Sequence, residues 1–301
     1  RIGRIRENGF EGASSWAIFK EGTLKKIKGE KDGIEKWNNT IPGIAPRLYN
    51  FSKIKNKGTI LVEHISDHTL LEIVLSSSHS QLRHILKRLF QTLEQIWDKT
   101  KEEVAVNAGF LKQAKSRLGD IFAVYPEFNY PEQKIGNIIS ESFSHLLEQS
   151  SKLEAEIKAP FKVLIHGDFN IDNIMYRSNS DSIHFIDLHR SKAGDYVQDV
   201  SVFLVSNFRL PVFETEQRSK LNDIMETVYR FAGRYAKKNG DKAFEKRLAL
   251  GLARSFLTST RFAVSSEFAR TMFLRSTYIL KKFIAAEGSE DFKIPGDIFY
   301  Y

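Results

Sequence analysis

The alternation of apolar and polar positions changes character partway along the chain. Up to about residue 65 it runs in short strand-like stretches. Ser15 to Phe19, a turn at Glu21-Gly22, and Thr23 to Lys28 together read as a hairpin. A short helical segment carrying Glu35 and Trp37 follows Gly33. Next come the Pro- and Gly-containing stretch from Ile41 to Pro46 and the apolar run Ile60-Leu61-Val62, of buried-strand type. This first part is predicted to be mostly β.

From Ser80 the spacing shifts to threes and fours. Leu82, Ile85, Leu86, Leu89, Phe90, Leu93, Ile96 and Trp97 fall on one helical face. Ile135, Ile138, Ile139, Phe143, Leu146 and Leu147 predict a second amphipathic helix, leading into an apolar strand at Val163-Leu164-Ile165. Beyond Glu214, helices are predicted near 217–238, 242–262 and 267–286, separated by Asn239-Gly240 and Ser265-Ser266. There is no internal repeat and no low-complexity linker. The division is therefore placed at 1–65 and 66–301, with a tight junction near Glu63 to Ser66.

Composition narrows the functional classes. With 301 residues and 42% hydrophobic content, the chain can bury a full core. The greasiest run, Ile183 to Phe208, is interrupted by Asp187, Arg190, Asp195 and Asp199, so no transmembrane segment is expected. The absence of cysteine excludes disulfides, thiolate metal sites and cysteine nucleophiles, and fits a cytoplasmic location. The chain begins at Arg1, not Met, so further N-terminal residues are expected ahead of it. A net charge of +8 favours acidic partners such as nucleotides and sugar phosphates. No recognition helix, zinc-finger spacing or paired-aromatic RNA signature accompanies it, so nucleic acid is not an expected partner. Oligomeric state is left open.

The chemistry concentrates in Leu164-Ile165-His166-Gly167-Asp168-Phe169-Asn170-Ile171-Asp172-Asn173-Ile174-Met175-Tyr176 and in Ile183-His184-Phe185-Ile186-Asp187. Apolar strands flank both polar clusters. Asp168 is thereby predicted in a loop after one strand, Asn173 at the start of the next, and Asp187 at the end of a third. Three oxygen-bearing side chains at one sheet edge suit phosphoryl transfer. An amide and a carboxylate can hold magnesium, while a separate carboxylate orients the acceptor hydroxyl and takes its proton. His166 and His184 lack zinc-ligand spacing, and His166 is expected to brace the loop.

His166-Gly167-Asp168, Asn173 five positions on, and Ile186-Asp187 beyond resemble the aminoglycoside phosphotransferase and choline kinase superfamily, relatives of the protein kinases. The resemblance implies an α+β bilobal protein-kinase-like fold, with a small β-rich N-terminal lobe and a larger α-helical C-terminal lobe. It also implies Asp168 as catalytic base, Asn173 and Asp187 as magnesium ligands, and ATP with Mg2+ as cofactors. Gly194-Asp195 and Asp199 match the stretch that follows the metal aspartate, and Asp199 is expected to be structural.

In the first lobe such a family needs a phosphate-covering loop, a strand lysine and a helix glutamate. Asn8 to Ser15, including Ser14 and Ser15, is the loop candidate. Lys26 is the lysine chosen over Lys25 and Lys28, with Glu35 as its helix partner and Glu30 in reserve. Leu61 to Ile65, with Glu63 and Ile65, resembles the hinge whose backbone binds adenine. Gly167 stands where protein kinases carry Arg, Leu188-His189 stand where they carry Phe-Gly, and no Ala-Pro-Glu segment is present. The expected activity is transfer of the γ-phosphoryl group to a hydroxyl of a small molecule or glycan. Ile186 to Arg190 also looks like lipopolysaccharide core kinases, so an anionic glycolipid acceptor is one alternative. With the net charge, Arg209, Arg254, Arg261, Arg270 and Arg275, which by the resemblance lie in or beside the acceptor wall, favour an anionic or neutral acceptor over a polycationic one. A catalytically inactive nucleotide-binding pseudokinase is the other alternative.

Overall fold

The structure, a computed structural model, describes residues 2–6, 16–135, 138–263, 265–286, 289 and 291–300. Ser14 and Ser15 lie outside the described residues. In chain order the main elements are β1 (Ile2–Arg6), β2 (Trp16–Thr23), α1 (Leu24–Thr40), β3 (Leu48–Ile54), β4 (Lys57–Glu63), β5 (His68–Thr69), α2 (Leu70–Ser76) and α3 (His79–Thr100). After them come α4 (Phe110–Lys115), α5 (Leu118–Val124), β6 (Gln133–Ile135), β7 (Ile138–Ser140), α6 (Phe143–Ala155), β8 (Val163–Ile165), β9 (Ile174–Arg177) and β10 (Ser182–Phe185). Helices α7 (Val197–Phe208), α8 (Thr215–Lys238), α9 (Phe244–Ser259) and α10 (Ser266–Ala285) complete the chain. This is the α+β, protein-kinase-like arrangement, with the largest sheet near the N-terminus and the helices gathered toward the C-terminus.

Contacts divide the chain into two units, residues 1–101 with 163–193 and residues 102–162 with 194–301. The expected boundary near residue 65 falls inside the first of these. The reason is local: α3 packs on β8, and the Leu164 N–H donates to Thr100 Oγ1 at 2.9 Å. The long helix and the strand before the Asp168 loop therefore belong with the N-terminal sheet.

In the first unit, an antiparallel sheet runs in the order β1-β2-β4-β3. Strand β2 pairs with β4 from Ala17 opposite Glu63 to Thr23 opposite Lys57, so no turn interrupts it at Glu21-Gly22. The expected second strand, Thr23 to Lys28, is helix instead. Thr23 is the N-cap, its hydroxyl accepting from the Lys26 N–H, and the buried positions Ile27, Glu30, Ile34 and Trp37 recur at three and four residues. A second sheet, β10-β9-β5, is built on the hairpin whose strands follow Asn173 and precede Asp187.

In the second unit, α6 starts at Phe143 under a Ser142 cap. The residues ahead of it, expected to be helical, form the β6–β7 hairpin. Glu154 of α6 caps α4, accepting from the Phe110 and Leu111 N–H groups at 2.6 and 3.1 Å. Every residue of α7 is buried. Beside α7 lies a buried ionic cluster: Arg247 contacts Asp195 at 2.5 Å and also Asp241, whose carboxylate accepts from Tyr196 Oη at 2.6 Å. Burial pushes the Asp195 carboxyl pKa up, against the pull of Arg247.

Two acids around one guanidinium leave nothing to offset them once that cation is gone. Arg247→Leu is expected to lower unfolding stability by about 3–5 kcal/mol, because it strands buried carboxylates. Urea denaturation measures this, and a loss under ~1 kcal/mol would contradict the buried-charge account.

Candidate active site

Strand β8 carries three buried apolar residues and delivers the chain into the turn His166-Gly167-Asp168. Gly167 has φ +82, and a Cβ there would overlap the Arg190 carbonyl oxygen, so both conformation and space require glycine. His166 is fully buried. Its Nε2 faces the Ile186 carbonyl at 2.9 Å and its Nδ1 faces the Asp168 N–H at 3.3 Å. A carbonyl only accepts and an N–H only donates, so the ring is neutral with its proton on Nε2. Burial, the largest influence, pushes its pKa down to about 4. One ring thus joins the loop of Asp168 to the segment of Asp187.

Asp168 is partly exposed. Asn170 Nδ2 donates to its Oδ1 at 3.0 Å, and Arg190 lies 3.4 Å from its Oδ2. Asn173 ends a short 3₁₀ turn, Ile171–Asn173, and its Nδ2 donates to the Asp168 carbonyl at 2.9 Å. That bond commits the donor side of the amide to the loop and leaves Oδ1 as the acceptor side. The Asn173 carbonyl accepts from the Ile186 N–H at 3.1 Å, which fixes the two ends of the β9–β10 hairpin together. Asp187 follows with φ 60, a left-handed conformation uncommon for a residue with a Cβ.

Lys20 of β2 stands beside it. Its Nζ is 2.9 Å from Glu30 of α1 and 3.4 Å from Asp187 Oδ1. Burial works against the ammonium charge, but Glu30 and Asp187 outweigh it, and the Lys20 pKa is raised. The His189 ring, 3.4 Å from Asp187 Oδ1, is the largest influence holding the Asp187 carboxyl below the usual range, and Lys20 adds to it. Glu30, Asp187 and His189 each place one ligand-type atom within 4.8 Å of the others, with the Lys20 ammonium already against both acids.

Asp168, Asn173 and Asp187 therefore meet in the first unit, in the order of strands and loops read from the sequence. Lys26 does not join them as a strand lysine. It lies exposed in the first turn of α1, near enough to Asp187 only to contribute to its field. Glu35 bonds Lys31 at 2.6 Å on the exposed side of the helix, while the reserve residue Glu30 is the buried acid. Lys20 was missed, and it lies in β2, beyond Ser15 to Phe19. The usable signal was Thr23, a cap residue before a three- and four-residue apolar rhythm, which ends the strand and makes Lys20 its last lysine. Of the residues expected at a hinge, Ile65 is buried. Glu63 accepts from the Arg47 N–H at 3.0 Å and lies 3.6 Å from Arg177.

In the second unit, three of the arginines weighed for an anionic acceptor already have protein partners. Arg261 bonds Asp120 at 3.1 Å, Arg275 donates to the carbonyls of Asp297, Ile298 and Tyr300, and Arg254 lies over the Phe110 ring. Their number is no argument for an anionic substrate.

Two outcomes follow. Lys20→Ala should lose at least about 100-fold in the phosphotransfer expected from the sequence, the scale of removing a preorganised electrostatic group, while Lys26→Ala stays within about threefold of the parent. Steady-state kinetics on the pair decides between the two lysines, and the reverse ranking would reject Lys20. The second concerns pH. His166 takes up a proton near 6.5 when unfolded but only near 4 when folded, so its contribution is complete above pH 6.5 and is lost as pH falls toward 4. The full loss is about 3 kcal/mol. Urea titrations across that window should show a shallower pH slope for His166→Gln than for the parent, and equal slopes would contradict the neutral buried ring.

Residues 54–229, more than half of the chain, match the ecdysteroid kinase-like family; Asp168, Asn173 and Asp187 lie inside that range, Lys20 and Glu30 outside it. No curated protein matches the chain. Among solved structures, the chain is similar to the aminoglycoside phosphotransferase APH(3'')-Id from Streptomyces rimosus, solved with ADP and streptomycin. The identity is 17%, covering 81% of this chain and 90% of that one, with a TM-score of 0.49. It is also similar to an ethanolamine kinase from Plasmodium vivax, at 14% identity, covering 87% of this chain and 76% of that one, with a TM-score of 0.48. An aminoglycoside-3'-phosphotransferase of type VIII gives 14% identity over 93% and 94% of the two chains, with a TM-score of 0.48. On the family match, this chain belongs to the ecdysteroid kinase-like family.

Proposed function

We propose that the protein transfers the γ-phosphoryl group of ATP to a hydroxyl of a non-protein acceptor, a small molecule or glycan. The observation that carries this reading is the Lys20–Glu30–Asp187 ion-pair chain, assembled beside the loop of Asp168 and Asn173. Membership of a kinase-like family supports it.

The donor set fits magnesium. Asp187 is held ionised and is partly open to solvent, and Asn173 has its amide oxygen side uncommitted to the loop. Both are hard oxygen donors of the kind magnesium takes. These two residues would hold the ion, which when bound offsets charge on the nucleotide phosphates. Lys20, kept charged by its two acids, is placed to bind phosphate oxygens. Glu30, 3% exposed, keeps the ammonium from turning away. Asp168 orients the acceptor hydroxyl and takes its proton as the oxygen attacks the γ-phosphorus and the bond to the β–γ bridging oxygen breaks, releasing ADP. Asn170 and Arg190 steady its two carboxylate oxygens, and His166 fixes its backbone. Glu63 is already engaged by Arg47 and Arg177, so adenine recognition at 63–65 would use backbone groups.

The test is ATP turnover against a panel of hydroxyl-bearing metabolites and glycans, with Asp168→Asn and Asp187→Ala alongside. Asp168→Asn should bind ADP with magnesium as the parent does and lose about 10²–10⁴ in turnover. Asp187→Ala should lose the magnesium-dependent part of ADP affinity in calorimetry. A parent that binds ADP with magnesium yet phosphorylates no acceptor would favour a pseudokinase instead.

A further inference from the structure

Helix α1 places Gly29, Gly33 and Trp37 four residues apart along one stripe, and all three meet residues 188–191. A Cβ on Gly29 would lie 2.8 Å from the His189 carbonyl oxygen. One on Gly33 would overlap the Leu188 carbonyl oxygen and come within 2.9 Å of the Leu188 Cβ. These are mostly backbone atoms, which cannot swing aside as a side-chain tip can. One turn further on, Trp37 Nε1 donates to Ser191 Oγ, and that hydroxyl donates to the Ile165 carbonyl at 2.7 Å.

Neither glycine has a positive φ, so neither is needed for its own backbone conformation. Each costs a helix interior about 1 kcal/mol relative to alanine. A weakened helix is explained when the missing side chain lets another backbone approach. That backbone follows directly on Asp187, whose left-handed φ of 60 persists only where its surroundings hold it. Glu30, adjacent to Gly29, carries the Lys20 pair on the same helix, and its Oε2 is 3.9 Å from His189 Nδ1.

We infer that Gly29 and Gly33 form a seat for residues 188–189, which sets how far Asp187 stands from Lys20 and Glu30, and that both are positioning residues for the phosphate and magnesium site. This rests on the reading of Asp187 given under Proposed function. One helix thereby fixes both ends of the ion-pair chain: Glu30 through its side chain, Asp187 through the glycine stripe.

The experiment compares Gly33→Ala and Gly29→Ala with Gly119→Ala, at an exposed helical glycine with nothing near its Cβ. Calorimetry measures ADP binding with and without magnesium, and hydrogen exchange follows residues 186–191 in the nucleotide-free protein. Gly33→Ala should lose roughly 10- to 100-fold in magnesium-dependent affinity, the usual cost of disturbing what orients a ligand, with faster exchange in 186–191. Gly29→Ala, the milder intrusion, should shift both measurements in the same direction, and it carries the test if Gly33→Ala does not fold. Gly119→Ala should leave both unchanged. Parent-like magnesium dependence and exchange in a folded seat variant, while Asp187→Ala loses that dependence, would overturn the seat alone. If Asp187→Ala itself keeps the parent's magnesium dependence, the reading of Asp187 fails and the seat fails with it.

Discussion

An ammonium group largely removed from water must be met by negative charge, and for Lys20 that charge arrives from two distant parts of the chain. Glu30 lies ten residues on and Asp187 lies 167 residues on. Much of the first unit can be read as the consequence. Strand β2 has to pass without a turn into α1, so that Thr23 ends the strand and starts the helix within a few residues of the lysine. The helix has to present Glu30 inward, which its buried rhythm of Ile27, Glu30, Ile34 and Trp37 does. The segment after β10 has to press closely enough on that helix for Asp187 to reach the same cation, and the glycine contacts of α1 are where that closeness is visible.

The other half of the site depends on a hairpin. Asn173 and Asp187 bracket β9 and β10, so whatever fixes the hairpin fixes both. At its far end, Asp181 sits in a left-handed turn and is gripped from two sides: Tyr176 Oη donates to its carboxylate at 2.9 Å, and Arg88 of α3 donates to its carbonyl at 3.0 Å. At the near end, the Ile186–Asn173 backbone bond and the His166 ring close the loop. A protonated His166 would set a second N–H against the Asp168 N–H, so the neutrality that burial imposes is also what the hydrogen bonds require.

The polar loop and strand pattern from Val163 to Asp187 was legible because each element there is short, apolar and bounded by turn residues. Asp168 lies in the expected loop, while Asn173 ends the 3₁₀ turn just before β9 and Asp187 lies two residues past the end of β10, each close to but outside the strand expected for it. The first half of the N-terminal helix was not legible, because Leu24-Lys25-Lys26-Ile27 resembles the family's lysine strand, and the three-residue step from Leu24 to Ile27, the opening of a helical period, is too short a signal to outweigh it. Two further residues of α1, Gly29 and Gly33, argue locally against a helix, and their reason for being there lies in residues 188–189, beyond any local window. A similar blindness applied to α7, whose burial on all sides leaves no amphipathic stripe to detect, and to Ile135, Ile138 and Ile139, where a short hairpin carries apolar residues at helix-like spacing.

Acids beside cations occur in both units, and exposure separates their roles. Asp195 and Arg247 are closed off, with side chains 0% and 3% exposed. In that setting the charges can only serve each other, and any ligand would first have to displace Arg247 from both carboxylates. Asp187 and Asp168 keep 32% and 23% of their side-chain surface open, with cations pulling on them from one side. A half-open carboxylate can gain a metal ion or a hydroxyl proton without first losing the contact that orients it. Under the proposed function Asp168 and Asp187 need that asymmetry, which sets them apart from the closed-off Asp195 although Glu63 and Asp67, 32% and 19% exposed beside Arg177, share it. Lys20, 18% exposed, has on the cationic side what its proposed role asks for: it is held closely enough to stay charged and is open enough to meet a phosphate.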